Sequence, residues 1–196
     1  MKRVHSYCAR VENIELDSRA VRVLAHPLRS RLLGALRLHG PANATALASR
    51  LGTNTGATSY HLRKLAEVDL VVETDEGHGK QRFWAAAQES HSWRNTRFDA
   101  DPDARAAAGW LRQQQLRYLV ERVEEWEQER VRWPEAWRDA ASMSDFILEV
   151  SAGQLTELME ELYAVLDRHR DRSPAEGAQQ VVVHVVGLPA EPRDAP

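Results

Sequence analysis

The chain has 196 residues, 43% of them hydrophobic, and a net charge of −3, the profile of an ordinary folded soluble protein with room for one large domain or two small ones. No apolar run approaches the roughly 20 residues that span a bilayer, the first residues hold no continuous apolar stretch of a secretory signal, and a single cysteine, Cys8, excludes an internal disulfide and a multi-cysteine metal site within one chain. The charge is divided: residues 1–90 hold 13 Lys+Arg against 9 Asp+Glu and residues 91–196 hold 13 against 20, so a mildly basic half is joined to an acidic one, which suggests two jobs on one chain.

Residues 1–16 have no strong pattern, although Val11, Ile14 and Leu16 are spaced as in a short strand. Asp17 or Ser18 suits the N-cap of a helix reaching Ala25. His26-Pro27 interrupts it, and proline fits the first turn of the next helix, where its missing N–H would be unpaired in any case. That helix runs to about His39 with Leu28, Leu32, Leu33 and Leu36 on one face, and Gly40-Pro41 ends it. Asn43 or Thr45 caps a short helix, ATALASRL, which Gly52 breaks. Asn54 caps the next, which runs to about Val68. Leu70-Val71-Val72 begins a strand, DEGHGK at 75–80 reads as a hairpin tip, and 81–86 is the return strand.

The two helices across the glycine turn have helix-turn-helix spacing, and the hairpin after them makes a winged version. Residues 88–101 are polar and read as loop. Asp101-Pro102-Asp103 starts a long helix, with an acid at the N-cap and proline at N1. It extends to about Arg132 and carries a stripe of Trp110, Leu116, Leu119, Val120, Val123 and Trp126 at helical intervals. Pro134 stops it, and 135–140 is a short helix. Residues 145–150 alternate, with Phe146, Leu148 and Val150 on one side, as a strand does. Ser151 caps a helix over about 154–169 whose face is Leu155, Leu158, Met159, Leu162 and Leu166, and the valine-rich 179–186 is another strand. The expected fold class is α+β, mainly α: a winged helix-turn-helix domain over 1–90, then a C-terminal domain over 91–188 made of the long dimerisation helix and a small β-α-β unit, then a loose tail over 189–196.

The second helix of the pair is unusual on its solvent side. With Leu62 and Leu65 facing inward, helical spacing puts Thr58 inward as well and leaves Thr55, Ser59 and Tyr60 outward near Arg63. Hydroxyls can contact phosphates or base edges, and a threonine methyl can meet a thymine methyl. Arg63 and Lys64 can neutralise phosphates, the sequence-independent part of binding. Gly56 removes a side chain where a duplex backbone comes close, against a cost of about 1 kcal/mol relative to alanine. A weakly polar face at a protein contact is the plainer reading. His78 and Lys80 at the hairpin tip, with Arg82 after it, can reach the adjacent minor groove or its phosphates.

Three stretches together, VLAHPLRSRLLGAL, ALASRLGTNTGATSYHLRKLAEVDLV and the glycine-bearing wing, resemble the ArsR-type winged-helix transcriptional regulators. The likeness covers about residues 17–88. It implies a dimeric DNA-binding regulator, usually a repressor, with Asn54, Thr55, Gly56, Ser59, Tyr60 and Arg63 at the positions that face DNA. His61 matches the family's histidine, for which local bonding is as good a reading as base contact. The metal-sensing members carry a cysteine cluster in the first helix of the pair, where this chain has TALASRL, and others place Asp and His on a C-terminal helix, where 103–132 holds no histidine. Without thiolate or imidazole a transition-metal sensor has no ligands, so no metal and no cofactor is expected. Cys8 reads as a spectator, with contact to a dimer mate or a redox role as alternatives.

A helix as long as 103–132 must bury its stripe, and pairing with a copy of itself does so; a dimer also suits a palindromic operator. The tryptophans at 93, 110, 126, 133 and 137, with Phe98, pack a core or interface more readily than they line a pocket for an apolar effector, which is left open. Glu124, Glu125, Glu127 and Glu129 read as a solvated face. No G-x-S-x-G, glycine-rich phosphate loop or H-E-x-x-H is present, so an enzyme is not expected. The expectation is a cytoplasmic, bacterial, homodimeric repressor that binds double-stranded DNA through helix 54–68 and the 70–86 wing, with no membrane partner. A winged-helix protein-interaction module without specific DNA binding is the alternative. The arginine-rich, alanine-rich composition suggests a GC-rich bacterial genome.

Overall fold

A computed structural model describes residues 11–74, 82–170 and 172–191. His78 and Lys80 of the expected wing tip, and Cys8, lie outside the described residues. The chain divides into two compact units, 1–118 and 119–196, and each is described by itself. Among the described residues no helix is long and apolar enough to cross a membrane.

The first unit begins with strand β1, Val11–Glu15. Helix α1, Ser18–Leu24, starts where the Asp17 carboxylate accepts from the Ala20 N–H at 2.7 Å. Helix α2, Pro27–His39, takes His26 as its N-cap, with Nδ1 accepting from the Leu28 N–H at 3.2 Å. Leu32, Leu33 and Leu36 are buried, as the spacing requires, and Leu28 is half-buried against the same core. Strand β2, Ala42–Asn43, leads into α3, Ala44–Leu51, capped by Asn43 Oδ1 on the Ala46 N–H at 2.8 Å. Gly52 ends α3 at φ 64°, a left-handed conformation that glycine adopts without a Cβ penalty. Asn54 then caps α4, Thr55–Ala66, through Oδ1 and the Ala57 N–H at 2.8 Å. Two asparagine caps and one left-handed glycine between them set the geometry of the helix-turn-helix.

Strand β3, Val71–Thr74, pairs antiparallel with β4, Phe83–Ala86, and β4 also pairs with β2, giving the order β2-β4-β3. The return strand thus begins at Phe83. A second, two-stranded sheet corrects the loop expected over 88–101. Residues Gln88–Ser92 form strand β5, parallel to β1 with Asn13 opposite Ser90, and Asn95–Phe98 is a 3-10 turn. The polar sequence QESHS has no strand pattern of its own; its partner lies far upstream in the chain, so only the fold brings the ladder together. Phe98 is buried at 1% exposure.

Helix α5, Pro102–Glu129, starts at an Asp101 cap on the Ala104 N–H at 3.0 Å and closes in one 3-10 turn over Arg130–Arg132. Its first turns bury Ala104, Ala108 and Leu111 at intervals of four and three in the same core as Leu16, Leu24, Leu36, Leu62, Leu65 and Leu70. This core therefore reaches beyond residue 90, where the sequence suggested a division.

In the second unit, α6 spans Glu135–Ala140 and α7 spans Ala152–Arg170. Ser151 and Gln154 cap α7 reciprocally, with Ser151 Oγ accepting from the Gln154 N–H at 3.2 Å and Gln154 Oε1 from the Ser151 N–H at 2.9 Å. The expected β-α-β unit is not formed: 145–150 and 179–186 are not strands, and neither belongs to a sheet among the described residues. Alternation and valine content make a segment suited to a sheet, but a strand exists only where a second backbone completes its ladder.

Candidate nucleic-acid interface

Helix α4 is divided by burial. Thr58, Leu62 and Leu65 are fully buried, and Thr58 Oγ1 donates to the Asn54 carbonyl at 3.0 Å, so its hydroxyl is satisfied inside the helix. Asn54, Thr55, Gly56, Tyr60 and Arg63 are exposed, and Ser59 is half-buried. Helical spacing placed Thr58 inward with Leu62 and Leu65, and Thr55, Tyr60 and Arg63 outward, as the burial does; Ser59, expected outward, is half-buried. A Cβ built at Gly56 would meet only Asn54 Oδ1, at 3.4 Å. The chain's own packing therefore does not require glycine there.

The cations on this face differ in their engagement. Lys64 Nζ donates to both oxygens of Glu67 at 2.8 and 2.9 Å and lies 5.9 Å from the Tyr60 ring centroid. Glu67 is held below its ordinary carboxylate pKa, chiefly by that hydrogen bond. Arg82 at the base of the wing pairs with Glu73 across β3 and β4 at 2.8 Å. Arg63 makes no ion pair among the described residues.

Asn43, Ala44 and Thr45 at the start of α3, Ser59 and Arg63 of α4, and Arg82 and Trp84 of the wing line one open cleft of about 400 Å³. The structure thus brings Ser59, Arg63 and Arg82 together. Trp84 and the α3 N-terminus were not legible as part of this site, because the β2–β4 pairing that carries them to α4 leaves no local trace in the sequence. A cleft with two guanidinium groups and the hydroxyls of Thr45 and Ser59 is suited to phosphate oxygens.

His61 faces away from this cleft. Its ring lies 4.4 Å from that of His26, centroid to centroid, and Arg29 Nη1 donates to its Nδ1 at 3.5 Å, while Arg29 Nε donates to the Val23 carbonyl. Burial, reinforced by the Arg29 charge, holds both histidines below their ordinary pKa, and the charge His26 would carry lowers that of His61 further. His61 in this structure serves the α2–α4 packing.

Of the stripe on α5, Trp110 packs against the core of the first unit. Leu119, Val123 and Trp126 are half-buried, and Leu116 and Val120 are 61% and 46% exposed. Trp126, Trp133 and Trp137 form a chain of ring contacts, each 6.1 Å from the next. Among the described residues no group of three or more His, Cys, Asp or Glu is placed to hold a metal ion.

Residues 24–74 match a family model described as a helix-turn-helix domain. No curated protein matches the chain. Among solved structures, the chain is similar to the homodimeric winged helix-turn-helix DNA-binding domain of Mb0332 from Mycobacterium bovis, described as a possible ArsR-family transcriptional regulator, at 23% identity over 56% of this chain and 78% of that one, with a TM-score of 0.33. A possible transcriptional regulator for arsenical resistance aligns at 24% identity over 65% of this chain and 98% of that one, TM-score 0.32. RV1404 from Mycobacterium tuberculosis aligns at 15% identity over 76% and 81%, TM-score 0.31.

Proposed function

We propose, from the match of residues 24–74 to a helix-turn-helix domain model, that the chain is a sequence-specific DNA-binding transcriptional regulator of the ArsR type, acting in the cytoplasm as a homodimeric repressor. Helix α4 lies in the major groove. Thr55, Ser59 and Tyr60 meet base edges or phosphates, Gly56 allows close approach, and Asn54, Arg63 and Lys64 hold the duplex backbone. The wing, with His78, Lys80 and Arg82, contacts the flanking DNA. Residues 91–188 serve dimerisation through Leu116, Leu119, Val120, Val123 and Trp126, with Trp110 at the start of the stripe.

The observation that carries this reading is the division of α4: an apolar face sealed in the core, and an outer face of small, hydroxyl-bearing and cationic residues opening on a cleft shared with the wing. A groove-reading helix needs that combination, since side chains must be short enough to approach and polar enough to bond. Selection of bound duplexes from a random pool tests it. The expected product is a palindrome with half-sites about one helical turn apart, bound with strong salt dependence. A chain that selects no sequence and binds no duplex even at low salt is a protein-interaction module instead.

A further inference from the structure

We propose that His26 and His61 form a proton-sensitive latch between α2 and α4, so that mild acid loosens the groove-reading helix and weakens sequence-specific duplex binding. The inference rests on the DNA-binding reading above and deepens it, by naming a condition that regulates α4.

What each ring meets fixes its tautomer. The Leu28 N–H and the Arg29 guanidinium can only donate. Nδ1 of His26, 3.2 Å from the first, and Nδ1 of His61, 3.5 Å from the second, must therefore both accept. In the neutral ring the proton is then on Nε2, and a second proton can enter only at Nδ1, the atom already in use. On His26 it removes the acceptor that caps α2 and sets a positive charge at a helix N-terminus, where the backbone dipole opposes it. On His61 it turns an acceptor into a donor facing the Arg29 guanidinium. The ring centroids are 4.4 Å apart, so the two charges also oppose each other.

Among the described residues no carboxylate bonds or pairs with either ring to offset these charges. Arg29 reaches the pair from α2. From α4, Tyr60 meets the His61 ring edge-on at 5.1 Å, and Lys64 beside Tyr60 is held by Glu67. From α1 comes the Val23 carbonyl, which accepts from Arg29, while Arg22 is paired with Asp101 and the Arg19 charge acts on Glu67. Burial and Arg29 accordingly move the titration of both rings below the ordinary histidine range, so the latch is closed at pH 7.5 and opens in acid. The latch has leverage on the site. Tyr60 and Arg63 flank His61 on the face offered to DNA, and Ser59 and Arg63 share their cleft with Arg82 of the wing. Hydrogen bonds tolerate only about 0.5 Å in length, so a displaced α4 loses base-edge contacts, while attraction to phosphates persists.

The test measures the affinity of the full chain for a selected duplex and for a random-sequence duplex at pH 7.5 and 5.0, with circular dichroism and hydrogen exchange on the same samples. Specific affinity is expected to fall about tenfold or more at pH 5.0, while affinity for the random duplex holds or rises with the added proton charge. His26→Asn with His61→Asn keeps an acceptor at each position without a titrating group, and should hold specific affinity to within about threefold. Should the pair of changes prevent folding, His26→Asn alone decides, and is expected to shrink the parent's loss by about threefold. His91→Gln should leave that loss in place. An equal loss in the asparagine variants overturns the proposal, as does a loss that coincides with global unfolding. Specific affinity that rises in acid overturns it too, because the protons then act only as charge near phosphates. Exchange separates the two readings. A chain that selects a duplex and binds it equally at both pH values sinks this inference alone. A chain that selects no duplex, yet whose α4 amides lose protection at pH 5.0 in the parent and not in the double variant, sinks the DNA reading alone.

Discussion

Arg37 of α2 donates from Nη1 to Nδ1 of His91 in β5 at 2.7 Å, and from Nε to the Gln88 carbonyl at 3.1 Å. A largely buried guanidinium is thus held by a neutral imidazole and a peptide oxygen, and its Nη2 has no partner among the described residues. Burial pushes the Arg37 pKa down to about 10. Burial first, and the Arg37 charge second, push that of His91 down to about 3. The contact ties helix α2 to the β1–β5 sheet and requires His91 to stay uncharged.

That requirement makes the first unit acid-sensitive. Unfolded, His91 takes up a proton near pH 6.5; folded, it resists until about pH 3. Its contribution is present above pH 6.5 and is lost progressively as pH falls from 6.5 towards 3, at up to about 1.4 kcal/mol per pH unit. His26 and His61 have lowered pKa values and add in the same sense. Denaturant unfolding at pH 7.5 and 5.5 should show lower stability at 5.5, and His91→Gln should reduce the difference. An equal loss in the variant would assign the acid sensitivity to other groups.

Gly56→Ala should separate folding from binding. The added methyl meets only Asn54 Oδ1, at 3.4 Å, and alanine favours the helix by up to about 1 kcal/mol. The variant should melt no lower than the parent while its affinity for the selected duplex falls about tenfold or more. Unchanged affinity would show that no duplex backbone comes near this position.

The cations should act on all sequences and the hydroxyls on some. Arg63→Ala is expected to weaken every duplex and to reduce the salt slope by about 1. Thr55→Ala and Ser59→Ala should change the ranking among sequences, which titration of single-base variants would read. Glu73→Gln releases Arg82 from its ion pair and should tighten binding at low salt. A looser complex would mean that Arg82 needs Glu73 to be positioned.

The two asparagine caps should cost similar amounts when removed. Asn43→Ala and Asn54→Ala each free a helix N–H now bonded at 2.8 Å, worth typically about 1 kcal/mol. Asn54→Ala should also impair duplex binding, because α4 begins there. Equal binding after correction for stability would limit Asn54 to its cap.

Leu119→Glu with Val123→Glu should dissociate the dimer, as sedimentation would show. Two carboxylates on the half-buried side of α5 cannot be desolvated against a copy of themselves. A variant that remains dimeric would place the interface elsewhere.

What the sequence determined by itself is whatever a few neighbouring residues decide. Asp17, Asn43, Asn54, Asp101 and Ser151 announce helix starts because a short polar side chain satisfies an N–H two or three residues on. Gly40 and Gly52 announce ends because they accept positive φ without a Cβ. The period of Thr58, Leu62 and Leu65 fixed which side of α4 would be buried, and so which side could face DNA. Tertiary structure alone decided what depends on residues far apart in the chain. The polar stretch 88–92 became a strand because β1 lies beside it, Phe98 and Leu111 entered the core of a domain that seemed to end before them, and Trp84 reached Arg63 through the β2–β4 ladder. The valine run at 181–183 shows the same rule in reverse: side chains can make a segment suited to a sheet, but hydrogen bonds between strands need a second backbone, and no local pattern says where that backbone will be.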